Sequence, residues 1–280
     1  MKVRIVVDSV ADVTESVRER LTAVPLSINF GDEQYIDGVT LTREQFYEKL
    51  ASCSDLPRTS QPSPDAFATV YEAAKQAGES LVVLTVSSKL SGTYQSAMIA
   101  AQDYPENVYV VDTKHVALGE GVLAEYALSL VDRGMSAREI AEAIEQEKEN
   151  VRLYALVDTL EYLQRGGRVS KAVAFAGGLL SIKPLVCVKD GVLEIAGKAR
   201  GNKQGNALLN REIEAGGGID FDKPVLVGYT GTSDTLLKKY LADSASMWNG
   251  KEIHSTLLSG IVGTHAGPDA VVVAYFTANC

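Results

Sequence analysis

The 280-residue chain is poor in cysteine: Cys53, Cys187 and Cys280 are the only three, and none stands in a C-x-x-C spacing. That excludes the common thiolate metal and redox motifs, and an odd total does not make a disulfide framework, so reduced thiols in a cytoplasmic protein are expected. Basic charge is also short. Against 36 acidic residues there are 27 lysines and arginines, and the net charge of −9 repels a polyanion, which argues against nucleic acid as a partner. Long apolar runs are missing too. The most apolar stretch, residues 172–182, is bounded by Lys171 and Lys183 and falls far short of the ~20 residues a membrane-spanning helix needs. The first residues, Met1-Lys2-Val3-Arg4-Ile5-Val6-Val7-Asp8, carry charge where a signal peptide is apolar, so no export signal is expected. An apolar ligand then has to arrive through water or by transient contact with a membrane surface.

Walker A and G-x-G-x-x-G patterns are absent, which removes the common nucleotide enzymes. His115, His254 and His265 have no metal-ligand partners nearby in sequence, so no metal or other cofactor is expected. Asp8-Ser9-x-x-Asp12 resembles an acidic metal or phosphoryl site, but no further ligands recur at metal spacing, and a helix cap is the simpler reading. There is no internal repeat, low-complexity linker or charge block.

What is present is the grammar of an α/β protein. The length favours two lobes, placed at residues 1–150 and 151–280. In the first, β-branched runs at 3–7, 81–86 and 108–111 alternate with helical patterns, the signature of a mostly parallel sheet. Each run ends in small polar residues: Asp8-Ser9, Ser87-Ser88 and Asp112-Thr113. Ligands of parallel sheets bind at that edge. Thr42 with Gln45 and Ser136 with Glu139 fit capping boxes, Ser63-Pro64 opens a further helix and Gly78 closes it. Residues 58–64, Arg-Thr-Ser-Gln-Pro-Ser-Pro, read as a rigid polar loop.

The second lobe reads as α+β. A helix from about Asp158 ends at Arg165-Gly166-Gly167-Arg168, a hairpin over 185–198 turns at Asp190-Gly191, and 225–229 and 270–276 read as strands. The arginines of the first motif, extended by Lys171, Arg200 and Lys203, either neutralise a helix C-terminus or contact a phosphate or carboxylate, and spacing leaves both open.

Two constellations could hold an anion. Ser87-Ser88-Lys89-Leu90-Ser91-Gly92-Thr93 carries a strand end through hydroxyls into a helix expected near Ser91, where free N–H groups would face a ligand. Leu90-Ser91-Gly92 lacks the first glycine of a G-x-S-x-G nucleophile elbow, so a serine esterase or thioesterase using Ser91, His265 and Asp8 or Asp112 is the alternative reading. The second, residues 260–270, places His265 in what reads as a glycine-rich turn, where the backbone needs unusual dihedrals or a close approach. A third reading, a sensor of phosphorylated metabolites, rests on Thr230-Gly231-Thr232 and the arginines.

Six ordered motifs together resemble the DegV family, the fatty-acid-binding subunits of bacterial fatty acid kinase. They are Asp8-Ser9-Val10-Ala11-Asp12, Thr59-Ser60-Gln61-Pro62-Ser63, Leu90 through Ala97, Leu160 through Arg168, Ile182-Lys183-Pro184 and Gly263 through Pro268, so the resemblance covers residues 3–278. It implies a two-lobed α/β fold with a long-chain fatty acid buried between the lobes. It implies carboxylate contacts from Thr59, Ser91, the Gly92 N–H and His265, and no catalytic residue. It also implies a partner, the kinase catalytic subunit, which phosphorylates the bound carboxylate to an acyl phosphate and is faced by Arg165, Arg168 and Arg200. Two positions depart from the family pattern: Asp269 stands where glycine is usual, and Gly201-Asn202-Lys203-Gln204 is less basic than the usual segment.

Overall fold

The computed structural model describes residues 2–169 and 181–278. Lys171 and most of the apolar stretch 172–182 lie outside them. The chain runs β1 (Lys2–Asp8), α1 (Glu15–Arg18), β2 (Thr22–Val24), β3 (Ser27–Phe30), β4 (Glu33–Ile36), α2 (Arg43–Ser52), β5 (Arg58–Ser60), α3 (Pro64–Gln76), β6 (Glu79–Thr85), α4 (Thr93–Ala101), β7 (Val108–Asp112), α5 (Leu118–Asp132) and α6 (Ala137–Glu147). It continues through β8 (Val151–Leu156), α7 (Glu161–Arg165), β9 (Ile182–Lys189), β10 (Val192–Arg200), α8 (Gly201–Ala215), β11 (Val225–Tyr229), α9 (Thr235–Asp243), β12 (Ser255–Leu257), α10 (Gly260–Ala266) and β13 (Val271–Phe276). No helix among the described residues is long and apolar enough to cross a membrane.

Three sheets form. The first, β2-β1-β6-β7, is wholly parallel. Its central strands are apolar on both faces because helices cover both: Val6, Leu81 and Val83 pack on Phe67, Tyr71 and Ala97, while Ile5, Val7, Val82 and Leu84 pack toward α5. The second sheet, β10-β9-β8-β13-β11-β12, is antiparallel except for its β11–β12 pair. The third, β4-β3-β5, is a small antiparallel sheet. This third sheet is where structure and sequence part. Residues 58–60, expected as loop, pair with β3, and their partners are strands of four residues, too short to show a period.

Helix ends behave as their residues require. Both capping boxes form, Ser63 accepts the Ala66 N–H ahead of Pro64, and Gly78 ends the turn after α3 at φ +66. α4 begins at Thr93, two residues later than expected, and α7 begins at Glu161 rather than near Asp158. The β9–β10 hairpin turns on Asp190 and Gly191, both at positive φ, as a two-residue turn demands.

α5 lies between the two large sheets and is buried on nearly every side, so one apolar core runs from Ile5 and Val82 through Val122 and Leu123 to Leu153 and Val272. A side chain at Gly121 would overlap the Asp12 carbonyl oxygen, so glycine there lets the segment after β1 lie against α5. Beside it, Glu120 is fully buried with neither carboxyl oxygen bonded among the described residues. Burial and nearby Asp8 and Asp12 hold its pKa well above the ordinary range. The other face of the six-stranded sheet is covered by α8 and α9 through Leu209, Ile213, Leu237 and Tyr240.

Candidate functional site

The site is built around α10. Residues 260–266, expected as a glycine-rich turn, form this helix, capped by the Ser259 hydroxyl accepting the Val262 N–H. Its glycines serve close packing: a Cβ at Gly263 would stand 2.6 Å from the Phe46 ring and 2.7 Å from the Tyr47 hydroxyl, both on α2. Two carboxylates from the first half of the chain hold the helix start. Asp12 accepts the Ser259 N–H at 2.9 Å and pairs with Arg43 at 2.8 Å, and Asp37 accepts the Gly260 N–H at 3.2 Å. Asp12 is therefore an anchor for α10 rather than a cap for the helix that follows it. Gly267, at φ +71 against the Tyr162 ring, closes the helix. Asp269 adopts φ +63, a left-handed conformation that aspartate tolerates and that glycine would take freely.

From the last turn of α10, His265 Nε2 reaches the Thr59 hydroxyl at 3.0 Å, which places Thr59 of β5 and His265 in one group. His265 Nδ1 is buried with no partner among the described residues. Burial, assisted by Arg168, lowers its pKa to about 4, so the ring is neutral at neutral pH. Gly166 gives the ring room, since a Cβ there would run into Nδ1. Arg168 closes the group from the other side, with Nε donating to the Leu90 carbonyl at 3.2 Å and Nη1 to the Gly166 carbonyl at 2.6 Å. Ser91 follows Leu90, and its hydroxyl bonds the Thr93 hydroxyl at 2.9 Å. Gln61 ties the strand carrying Thr59 to α4 through the Gly92 carbonyl and the Ser96 hydroxyl.

Behind this group lies a cavity lined by Thr59, Ser91, Arg168 and His265 and otherwise by aliphatic side chains. It holds about 770 Å³ of space, open solvent at its mouth included, and is narrow, a tunnel between the two halves. Its walls come from both halves: Val10, Leu26, Val86 and Val116 face Leu153, Ala155, Val157, Val186, Leu193 and Val272.

The structure thus brings Thr59, Ser91 and His265 to one cavity and adds Arg168, which is half-buried rather than at the surface. Gly92 lies just outside the lining. Arg165 is exposed and paired with Glu161 at 2.6 Å, and Arg200, at the end of β10, is also exposed; neither lines the cavity. The esterase arrangement is not assembled. His265 bonds Thr59 instead of Ser91, and no carboxylate orients its Nδ1. Asp8 is spent on the Val10 and Val86 N–H groups, and Asp112 on those of Ser88 and Lys114. Thr230, fully buried, spends its hydroxyl on the Ala270 N–H and is not free for a phosphorylated metabolite. No group of three or more His, Cys, Asp or Glu side chains suited to a metal occurs among the described residues.

Comparison with known proteins agrees with this architecture. The model of the DegV family of uncharacterised proteins matches residues 2–278. A DegV domain-containing protein of Caldanaerobacter subterraneus subsp. tengcongensis is 34% identical over 278 residues, 98% of each chain. The solved structure of a fatty-acid-binding DegV family protein from Thermus thermophilus superposes with a TM-score of 0.87 at 31% identity, covering 99% of this chain and 100% of that one. The Streptococcus pneumoniae Fatty Acid Kinase (Fak) B3 protein loaded with linoleic acid shares the fold, with a TM-score of 0.85 at 24% identity and 99% coverage of both chains. With one family model spanning nearly every residue and a relative 34% identical end to end, the chain belongs to the DegV family.

Proposed function

We propose that this protein binds one long-chain fatty acid in the tunnel, with its carboxylate at Thr59, Ser91, the Gly92 N–H and His265. It then presents that carboxylate to a separate fatty acid kinase subunit faced by Arg165, Arg168 and Arg200. The observation that carries this reading is the cavity itself, aliphatic along its length with hydroxyls and a neutral imidazole gathered at one end. The Thermus thermophilus relative binds a fatty acid, and the kinase step rests on the family resemblance alone.

The energetics fit a lipid. Sheathing roughly fourteen methylenes of a palmitoyl chain contributes ~10 kcal/mol gross at about 0.8 kcal/mol each, so the tail dominates affinity and the head group sets orientation. At neutral pH His265 is uncharged, and two donors of Arg168 are already taken by carbonyls. The carboxylate is then held by hydrogen bonds in place of a bidentate ion pair, which leaves an oxygen free to attack a phosphoryl donor. Native mass spectrometry of freshly purified protein tests the reading. A fatty acid's extra mass is expected, and protein that is consistently ligand-free and ignores added palmitate and oleate overturns it.

A further inference from the structure

Beside the Leu153 end of the tunnel the six-stranded sheet parts. β8 and β9 pair only through Tyr154–Cys187, Ala155–Val186 and Leu156–Leu185, although β8 starts at Val151 and β9 runs on to Lys189. Their outer neighbours stay in register to the end: Val151 still faces Phe276 of β13, and Lys189 still faces Val192 of β10. The two strands therefore diverge below Tyr154. The hairpin tip crosses to the first lobe, where the Ser87 hydroxyl donates to the Gly191 carbonyl at 2.7 Å, and a Cβ on Gly191 would stand 2.7 Å from that hydroxyl.

Between the diverging strands lies a polar pocket lined by Lys114, Arg152, Leu153, Cys187, Lys189 and Gly191, among others. Leu153 also lines the tunnel. The tunnel follows β8 and the residue just after it: Leu153 and Ala155 of β8 and then Val157 line it, a span of ~13 Å at a strand's rise per residue. Val157 is at the head-group end, where the chain enters α7, and Leu153 is the wall shared with the gap.

The gap is cationic in a protein of net charge −9. Lys114 is neutralised by Glu149 at 2.6 Å, and Lys148 by Glu145 at 2.5 Å. Among the described residues Arg152 spends only Nη1, on the Glu149 and Val151 carbonyls, and Lys189 has no ion pair. Opposing these two is Asp190 in the hairpin turn.

We propose that this gap is a second polar subsite, reading the far end of the ligand, and that the protein accepts long-chain α,ω-dicarboxylic acids with the distal carboxylate at Arg152 and Lys189. This rests on the fatty acid reading of the tunnel. At Leu153 the end of an ordinary saturated tail meets an aliphatic wall, whereas a carboxylate ending the chain there exchanges water for charge-assisted hydrogen bonds at the rim.

Displacement of a fluorescent fatty acid by palmitic and by hexadecanedioic acid tests the proposal on wild type and on an Arg152→Gln/Lys189→Gln double variant. Wild type is expected to bind the two acids within about tenfold of each other, and the double variant to lose about tenfold or more for the diacid alone, the size of one charge-assisted hydrogen bond. A diacid that binds wild type orders of magnitude more weakly than palmitate overturns the subsite while leaving the fatty acid reading intact. So does a double variant that weakens both acids equally. A protein that displaces the probe with neither acid overturns both readings.

Discussion

The two ends of the tunnel are made in opposite ways. At the head, four polar side chains arrive from four unrelated places: Thr59 on an edge of the small sheet, Ser91 on a strand-to-helix loop, Arg168 just after α7 and His265 at the end of α10. Along the tail, one whole wall is a single surface, the face of β8, β9 and β13 where Ala155 stands between Val186 and Val272 in register. The head is a convergence of individual residues, and the tail wall is a by-product of sheet packing. Head-group substitutions should therefore cost single hydrogen bonds, whereas filling the wall removes the methylene contacts from which most of the affinity comes.

The sharpest way to break that comparison is Ala155→Trp, which puts bulk into the tunnel between Leu153 and Val157. Displacing even four methylenes costs about 3 kcal/mol, so fatty acid affinity should fall by about a hundredfold or more. The mass adduct should vanish while circular dichroism keeps the fold; an adduct that survives means the tail does not follow β8.

Next in size is the pH response of the head. His265 titrates at about 4 when folded and near its ordinary value of 6.5 when unfolded. As pH falls from 6.5 to 4 the unfolded chain takes the proton first, so this group's share of stability is present above pH 6.5 and declines below it. The loss approaches about 3 kcal/mol near pH 4. His265→Gln should flatten that part of the profile in denaturant titrations at pH 7 and pH 4.5, whereas the aliphatic wall has no titratable group to contribute.

Smaller again are Thr59→Ala and Ser91→Ala. Each removes one neutral donor and should weaken binding by about 1 kcal/mol, roughly fivefold to tenfold in a displacement titration, with the fold unchanged. A hundredfold loss from either would show that the head, and not the wall, carries the affinity. Least of all should Arg165→Ala matter to stability, since its pair with Glu161 is exposed and worth about 0.5 kcal/mol or less. On the proposed function, its effect is expected in acyl phosphate formation with a kinase subunit, with fatty acid binding unchanged.

Legibility in the sequence followed the same divide. Local chemistry was readable: both capping boxes, proline at the start of α3, the Asp190-Gly191 turn and the long strand runs all depend on neighbours within a few residues. The small sheet was not, because β3, β4 and β5 are too short for periodicity and β5 joins β3 only by pairing across about thirty residues. α10 was hidden by its own glycines, which look like helix breakers until Phe46 and Tyr47 are seen packed against them. Arg168 looked like a surface charge; only the fold turns it toward the Leu90 carbonyl and the cavity.

The sequence by itself determined which residues could meet an anion and which elements could form, because hydroxyls at strand ends, caps and turns act over short range. Tertiary structure decided the rest. Val157, Ala155 and Leu153 are ordinary strand residues in the chain, and nothing in their spacing distinguishes a packed face from the wall of a tunnel. That difference arises only where two sheets meet around α5 with Thr59, Ser91 and His265 at one end and a parted pair of strands at the other.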